Sequence, residues 1–137
     1  MNCKILNKLK KNSLRALKQG EIAVAAVIVK DDKIIASAYN KRQKQFDVTA
    51  HAEVVAIKKA AKKIKDWRLN GYSMYVTLEP CEMCKAIIKE SRIDDCFFLI
   101  KRLKNTSKKS KNKVNHLQTA QKEEFVKILQ ESLKKLR

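Results

Sequence analysis

The chain has 137 residues, enough for one domain, and 45% of them are hydrophobic, enough for a packed core. Its 32 Lys and Arg stand against 14 Asp and Glu, a formal net charge of +18, which points to a polyanionic partner or to a solvated lysine-rich surface. No apolar run reaches the 18 residues of a membrane helix, and the Lys-interrupted start from Met1 to Lys11 does not read as a secretory signal, so a cytoplasmic protein is expected.

In chain order, Ile5, Leu6, Leu9, Leu14 and Leu17 recur at roughly helical spacing, which predicts a helix over residues 3–18 with one apolar face, ended by Gly20. The apolar run Ile22–Val29 predicts a strand buried on both faces. Asp31-Asp32 predicts a turn, with Lys33–Tyr39 as the hairpin partner, and Asn40–Ala50 a polar loop. Val54, Ile57, Ala61 and Ile64 predict a helix over Ala52–Lys65 with a Lys-rich outer face. Asn70-Gly71 marks a turn before a strand over Tyr72–Thr77, with Tyr72 and Tyr75 expected on one sheet face. Pro80 precedes a short helix over Cys81–Glu90, and Asp94–Ile100 is a further strand. Residues 101–113 hold seven Lys or Arg and no acid, and read as a solvated basic loop. Val114–Leu117 is a short last strand, and Ala120–Leu136 a C-terminal helix with Phe125, Ile128, Leu129 and Leu133 inward. Strands alternating with helices predict a single α/β domain over residues 1–137, with three α/β/α layers around a mixed five-stranded sheet.

Two short pieces carry the chemistry: His51-Ala52-Glu53 and Pro80-Cys81-Glu82-Met83-Cys84. Each alone is weak, because a lone His at a helix start is usually structural and a lone C-x-x-C can be a redox pair. The remaining cysteines do not complete a second C-x-x-C: Cys96 lies in an apolar strand and Cys3 near the terminus. His51, Cys81 and Cys84 together supply three good zinc ligands, the number used by a catalytic site that keeps a fourth position for water. Both pieces fall at predicted helix N-termini, where free N–H groups and the helix dipole favour thiolates. Glu53, two residues from His51, is placed to move a proton between water and a substrate nitrogen. The flanking Glu79 and Glu82 are not needed as a second catalytic carboxylate.

H-x-E followed by P-C-x-x-C is the signature of zinc nucleobase deaminases. The stretches Asp47–Glu53 and Tyr75–Cys84, with Trp67-Arg68-Leu69 and Ser91-Arg92-Ile93, resemble the bacterial tRNA adenosine deaminases, a branch of the cytidine and deoxycytidylate deaminase superfamily. The resemblance runs from about Gly20 to Phe98. It implies a cytidine deaminase-like fold and one Zn2+ per chain, held by His51, Cys81 and Cys84, with Glu53 as proton carrier. It implies conversion of a wobble adenosine to inosine in the anticodon arm of a tRNA, with an arginine tRNA bearing ACG expected, and a homodimer. It further assigns Asn40, the backbone near Ala52, and Asn115 to substrate binding. The chain departs from the family where Ala23 and Ala25 replace Pro and Gly, and where Arg102 replaces an acid. It also departs where Ser132 and Leu133 replace paired aromatics.

Lys101, Arg102, Lys104, Lys108 and Lys109 are candidate phosphate contacts, with lysine suited to backbone charge rather than base reading. His116 reads as a loop or RNA-facing residue, and Trp67 as a packing residue at a helix end. Two other functions compete: a deaminase of free guanine, cytosine or a nucleoside, and a non-catalytic RNA-binding subunit with structural zinc. The first has no use for a +18 surface, and the second has no use for Glu53.

Overall fold

The computed structural model describes residues 2–102 and 114–135. Helix α1 (Cys3–Lys18) starts at Asn2, whose side chain accepts the Lys4 N–H at 2.8 Å. Its inward face is Ile5, Leu6, Leu9, Asn12, Ser13 and Ala16, while Leu14 is 44% exposed. Leu14 follows Leu9 by five residues, roughly 140° around a helix, so it cannot share Leu9's face as the sequence spacing suggested.

Strand β1 (Ala25–Lys30) and strand β2 (Lys33–Tyr39) form the predicted hairpin. Asp31 and Asp32 both take positive φ, 50° and 63°, the backbone of a two-residue turn that matches strand twist. β1 begins at Ala25, later than its apolar run, because residues 22–24 leave the sheet. The Val24 N–H bonds the Ile22 carbonyl at 2.8 Å, and the Ala23 N–H donates to Ser132 Oγ at 3.0 Å. The polar loop that follows contains one helical turn not foreseen, α2 (Arg42–Gln45).

Helix α3 (Ala52–Ile64) ends at Lys65 in the left-handed region, and leads to strand β3 (Ser73–Leu78). Helix α4 (Glu82–Glu90), strand β4 (Asp95–Ile100), strand β5 (Val114–His116) and helix α5 (Lys122–Lys135) complete the chain. The sheet order is β2-β1-β3-β4-β5. β1 is antiparallel to both β2 and β3, whereas β3–β4 and β4–β5 are parallel, so the sheet is mixed. The predicted three-layer architecture is therefore the observed one.

Each sheet face has its own core. One holds Ile28, Met74, Val76 and Phe98 with Ala52, Ala56 and Ala60 of α3 and Ile88 of α4. The other holds Val27, Val29 and Leu99 with Ile5, Leu6 and Leu9 of α1 and Phe125 of α5. Tyr72 packs in the first and Tyr75 against the second, correcting the expectation of a shared face; residues three apart on a strand point to opposite sides. Among the described residues no helix is long and apolar enough to cross a membrane.

Candidate active site

The parallel pair β3–β4 ends, and the antiparallel β1 begins, beside the first turns of α3 and α4, and the two chemical motifs meet there. His51 is the N-cap of α3 and Cys81 the N-cap of α4, yet neither side chain caps its helix. Both turn instead toward a common point. His51 Nδ1 lies 3.6 Å from Cys81 Sγ and 3.4 Å from Cys84 Sγ, and the three ligand atoms are all within 4.8 Å of one another. Ligands bound at 2.0–2.3 Å around a tetrahedral zinc stand about 3.5 Å apart, so this donor set fits one zinc ion on distance and on chemistry.

Cys84 is fully buried, Cys81 half-buried, and all four cysteines are free thiols. The two ligand thiols share one proton. Donation from Cys84 pulls Cys81 down to about 4, helped by His51 and Arg102, while the same bond and burial push Cys84 well up. Cys96 lies buried in the core as expected, its thiol also pushed up by burial.

Glu53 sits in the first turn of α3 and is 3% exposed. Burial raises its carboxyl above the ordinary value, against the opposing effect of hydrogen bonds from its own N–H and from Cys84. A carboxylate held this way is a stronger base than one in water, suited to taking up a proton.

A cavity of about 790 Å3 opens over this floor. His51, Ala52, Glu53 and Cys81 line its base, Ile22 and Val24 one wall, and Leu78 and Ile100 another. The departure of residues 22–24 from β1 turns two apolar side chains of the run into cavity wall. Helix α5 closes the cavity with Lys122, Val126, Leu129, Gln130 and Leu133. Leu133, expected inward, is 43% exposed and faces the cavity rather than the core. Ser132 is the residue that docks α5, accepting the Ala23 N–H and donating to the Leu129 carbonyl at 2.6 Å.

Asn40 lines the cavity and is buried; its Oδ1 accepts the Arg42 N–H at 3.0 Å. Arg42, Lys101, Arg102 and Lys122 also line it, so among the described lining residues four cations face one buried carboxylate, Glu53. Lys101 and Arg102 were expected near the site; Arg42 and Lys122 were not. Lys104, Lys108 and Lys109, with the rest of residues 103–113, lie outside the described residues.

Arg102 is tied down. Its N–H donates to Glu79 Oε1 at 3.2 Å and its Nε–H to the Glu79 carbonyl at 2.7 Å. Glu79 is buried and also pairs with the buried Lys85 at 3.4 Å. Asn115 is not among the cavity-lining residues; it is exposed on β5 opposite Phe97. His116 is not on a loop either: its ring stacks on Phe98 at 4.9 Å, and a ring nitrogen lies 3.1 Å from the Leu99 carbonyl. Trp67 is 59% exposed rather than packed, with the guanidinium groups of Arg68 and Arg92 beside its ring at 5.7 and 5.9 Å.

Residues 2–100 match the family model of the cytidine and deoxycytidylate deaminase zinc-binding region. The chain belongs to this deaminase family. Within it, the chain is 45% identical over 84 residues to the tRNA-specific adenosine deaminase of Aquifex aeolicus, covering 61% of this chain and 56% of that protein. The chain thus spans little more than half the length of such relatives. A structure from studies of A-to-I editing by tRNA:A34 deaminases superposes with a TM-score of 0.83 at 27% identity, over 93% of this chain and 99% of that one. The guanine deaminase of Bacillus subtilis superposes at 0.68 with 36% identity, over 74% and 66%.

Proposed function

We propose that this chain is a zinc-dependent hydrolytic deaminase that converts the wobble adenosine of a tRNA anticodon to inosine, with an arginine tRNA bearing ACG as substrate. The observation that carries this reading beyond the family is the rim of Arg42, Lys101, Arg102 and Lys122 around a cavity floored by His51, Glu53 and Cys81, with Cys84 buried beside them. A free purine or nucleoside presents no phosphate to such a rim, whereas an anticodon loop presents one at every nucleotide, and RNA loops are read with their bases splayed out. The relatives named for tRNA deamination support the same substrate.

When bound, zinc supplies the Lewis acidity that makes water a nucleophile near neutral pH. The chain's own residues do the rest. Water adds at the adenine carbon bearing the amine, and Glu53 accepts a proton from it and passes it to the neighbouring ring nitrogen. Glu53 then takes the proton of the newly added hydroxyl and delivers it to the amine, so that ammonia leaves and the ring carbonyl of inosine remains. Its burial suits the first transfer, because a carboxylate whose pKa is raised is the stronger base toward water. Asn40 and Ala52 line the cavity, which supports assigning Asn40 and the Ala52 backbone to the base. Asn115 would reach substrate only from outside the cavity described. By resemblance the enzyme works as a homodimer in the cytoplasm.

Incubating the zinc-loaded protein with arginine tRNA bearing ACG and measuring inosine tests the proposal. Inosine at the wobble position is the expected product. Absence of inosine, with ammonia released from guanine or cytosine, would replace it with the free-base reading that the guanine deaminase likeness favours.

A further inference from the structure

We infer that Glu21 is a positioning residue for substrate, holding the cavity wall that carries Asn40 and Arg42. The inference rests on the tRNA-deaminase reading for its kinetic consequence, though not for its structural one.

Glu21 follows Gly20 at the end of α1 and is 1% exposed, a carboxylate with no part in the metal site. Its Oε1 accepts the Gln43 N–H at 3.0 Å and its Oε2 the Lys44 N–H at 2.8 Å. These N–H groups belong to the first turn of α2, where a helix leaves its donors without internal partners. The residue at the N-cap, Lys41, makes no side-chain cap bond. Glu21 therefore performs from 22 residues away the capping that the local sequence does not provide.

Three successive backbone donors are satisfied by two side chains: Arg42 by Asn40 Oδ1, Gln43 and Lys44 by Glu21. Among the described residues, backbone hydrogen bonds also tie the segment where it enters and leaves: the Asn40 N–H donates to the Val24 carbonyl at 3.0 Å and the Lys41 N–H to the Ala50 carbonyl at 2.9 Å. The bond from the Arg42 N–H also fixes the Asn40 amide. Its oxygen is turned to the backbone, and its Nδ2 donors are what it offers a ligand in the cavity. If α2 loosens, the Arg42 N–H no longer holds that amide, and both wall residues lose their set positions.

Glu21→Gln tests this, because it keeps shape and one acceptor but turns an NH2 group against the second N–H. Amide hydrogen exchange is read first, on the zinc-loaded protein. Gln43 and Lys44 should exchange at least tenfold faster in the variant, with α3 amides and zinc content unchanged. On tRNA, KM should rise roughly tenfold or more with kcat reduced far less, since misplaced positioning groups weaken binding and alignment rather than the proton transfer itself. In a double-mutant cycle, Glu21→Gln added to Arg42→Ala should cost little more than Arg42→Ala alone. Unchanged exchange at Gln43 and Lys44 would overturn the inference. So would fully additive losses, or a kcat loss at unchanged KM. A wild-type protein inactive on tRNA but showing the exchange effect would sink the proposed substrate and leave Glu21's hold on α2 standing.

Discussion

The floor and the mouth of the cavity are built by different means. At the floor, His51, Glu53, Cys81 and Cys84 come from the first turns of two helices, each motif spanning no more than four residues. The helices are fixed by the core beneath them, and the side chains follow from backbone geometry. At the mouth, Arg42, Lys101, Arg102 and Lys122 come from a helical turn, the chain after β4 and the start of α5. Buried carboxylates distant in sequence act at two of these places: Glu21 accepts the Gln43 and Lys44 N–H groups next to Arg42, and Glu79 accepts from Arg102 itself. The proposed reaction chemistry is thus encoded locally, and the proposed reading of substrate through long-range polar contacts. Substitutions in the two regions should therefore fail differently.

The largest effect is expected at the metal ligands. Cys84→Ala or His51→Ala removes one of three donors and should abolish stoichiometric zinc, with turnover falling to background. Zinc content by atomic absorption, alongside inosine formation, checks this; a variant that keeps one zinc per chain would displace that residue from the ligand set. Glu53→Gln is expected to keep zinc and lose roughly 10²–10⁴-fold in kcat with KM little changed. Retained turnover would remove Glu53 from the proton transfer. Together these separate metal binding from proton movement at the floor.

How legible each region was in the sequence follows the same division. H-x-E and C-x-x-C are local spacings, and a helix start places them the same way in any context. The Asp31-Asp32 hairpin was legible for a similar reason. The C-terminal part of the Ile22–Val29 run became β1, but Ile22 and Val24 became cavity wall, because Thr77 Oγ1 takes the Ala25 N–H and Ser132 takes that of Ala23. Neither partner is near in sequence. Glu21 and Glu79 were missed for the same reason: a lone acid beside an apolar run, or beside Pro80, gives no local sign that it will be buried on a distant amide. His116 was misread because its partners, Phe98 and Leu99, exist only once β5 pairs with β4.

Arg102 gives an intermediate test at the mouth. Arg102→Ala removes a cation and the bond to the Glu79 carbonyl while leaving the floor donors in place. KM for tRNA should rise several-fold to tenfold with zinc content intact and kcat nearly kept. An equal loss in kcat and kcat/KM would place Arg102 in the chemistry instead of the binding. Arg102→Lys should recover little of the loss, because an ammonium has no Nε–H fixed in a planar fork to meet the Glu79 carbonyl.

The smallest expected effect is on salt dependence, and it tests most directly what the rim is for. If Lys101 and Lys122 each neutralise one phosphate of single-stranded loop, each substitution to Ala should flatten the slope of log affinity against log salt by about 0.7. The loss of affinity itself should be modest, since Lys101 is exposed and Lys122 only half-buried, and salt screens such single charges. The slope is therefore the better observable. A Glu53→Gln protein titrated with an anticodon-arm hairpin gives it without turnover. An unchanged slope in both variants would mean that the two lysines face water, and would confine phosphate reading to Arg42, whose N–H is held by Asn40, and Arg102, held by the buried Glu79.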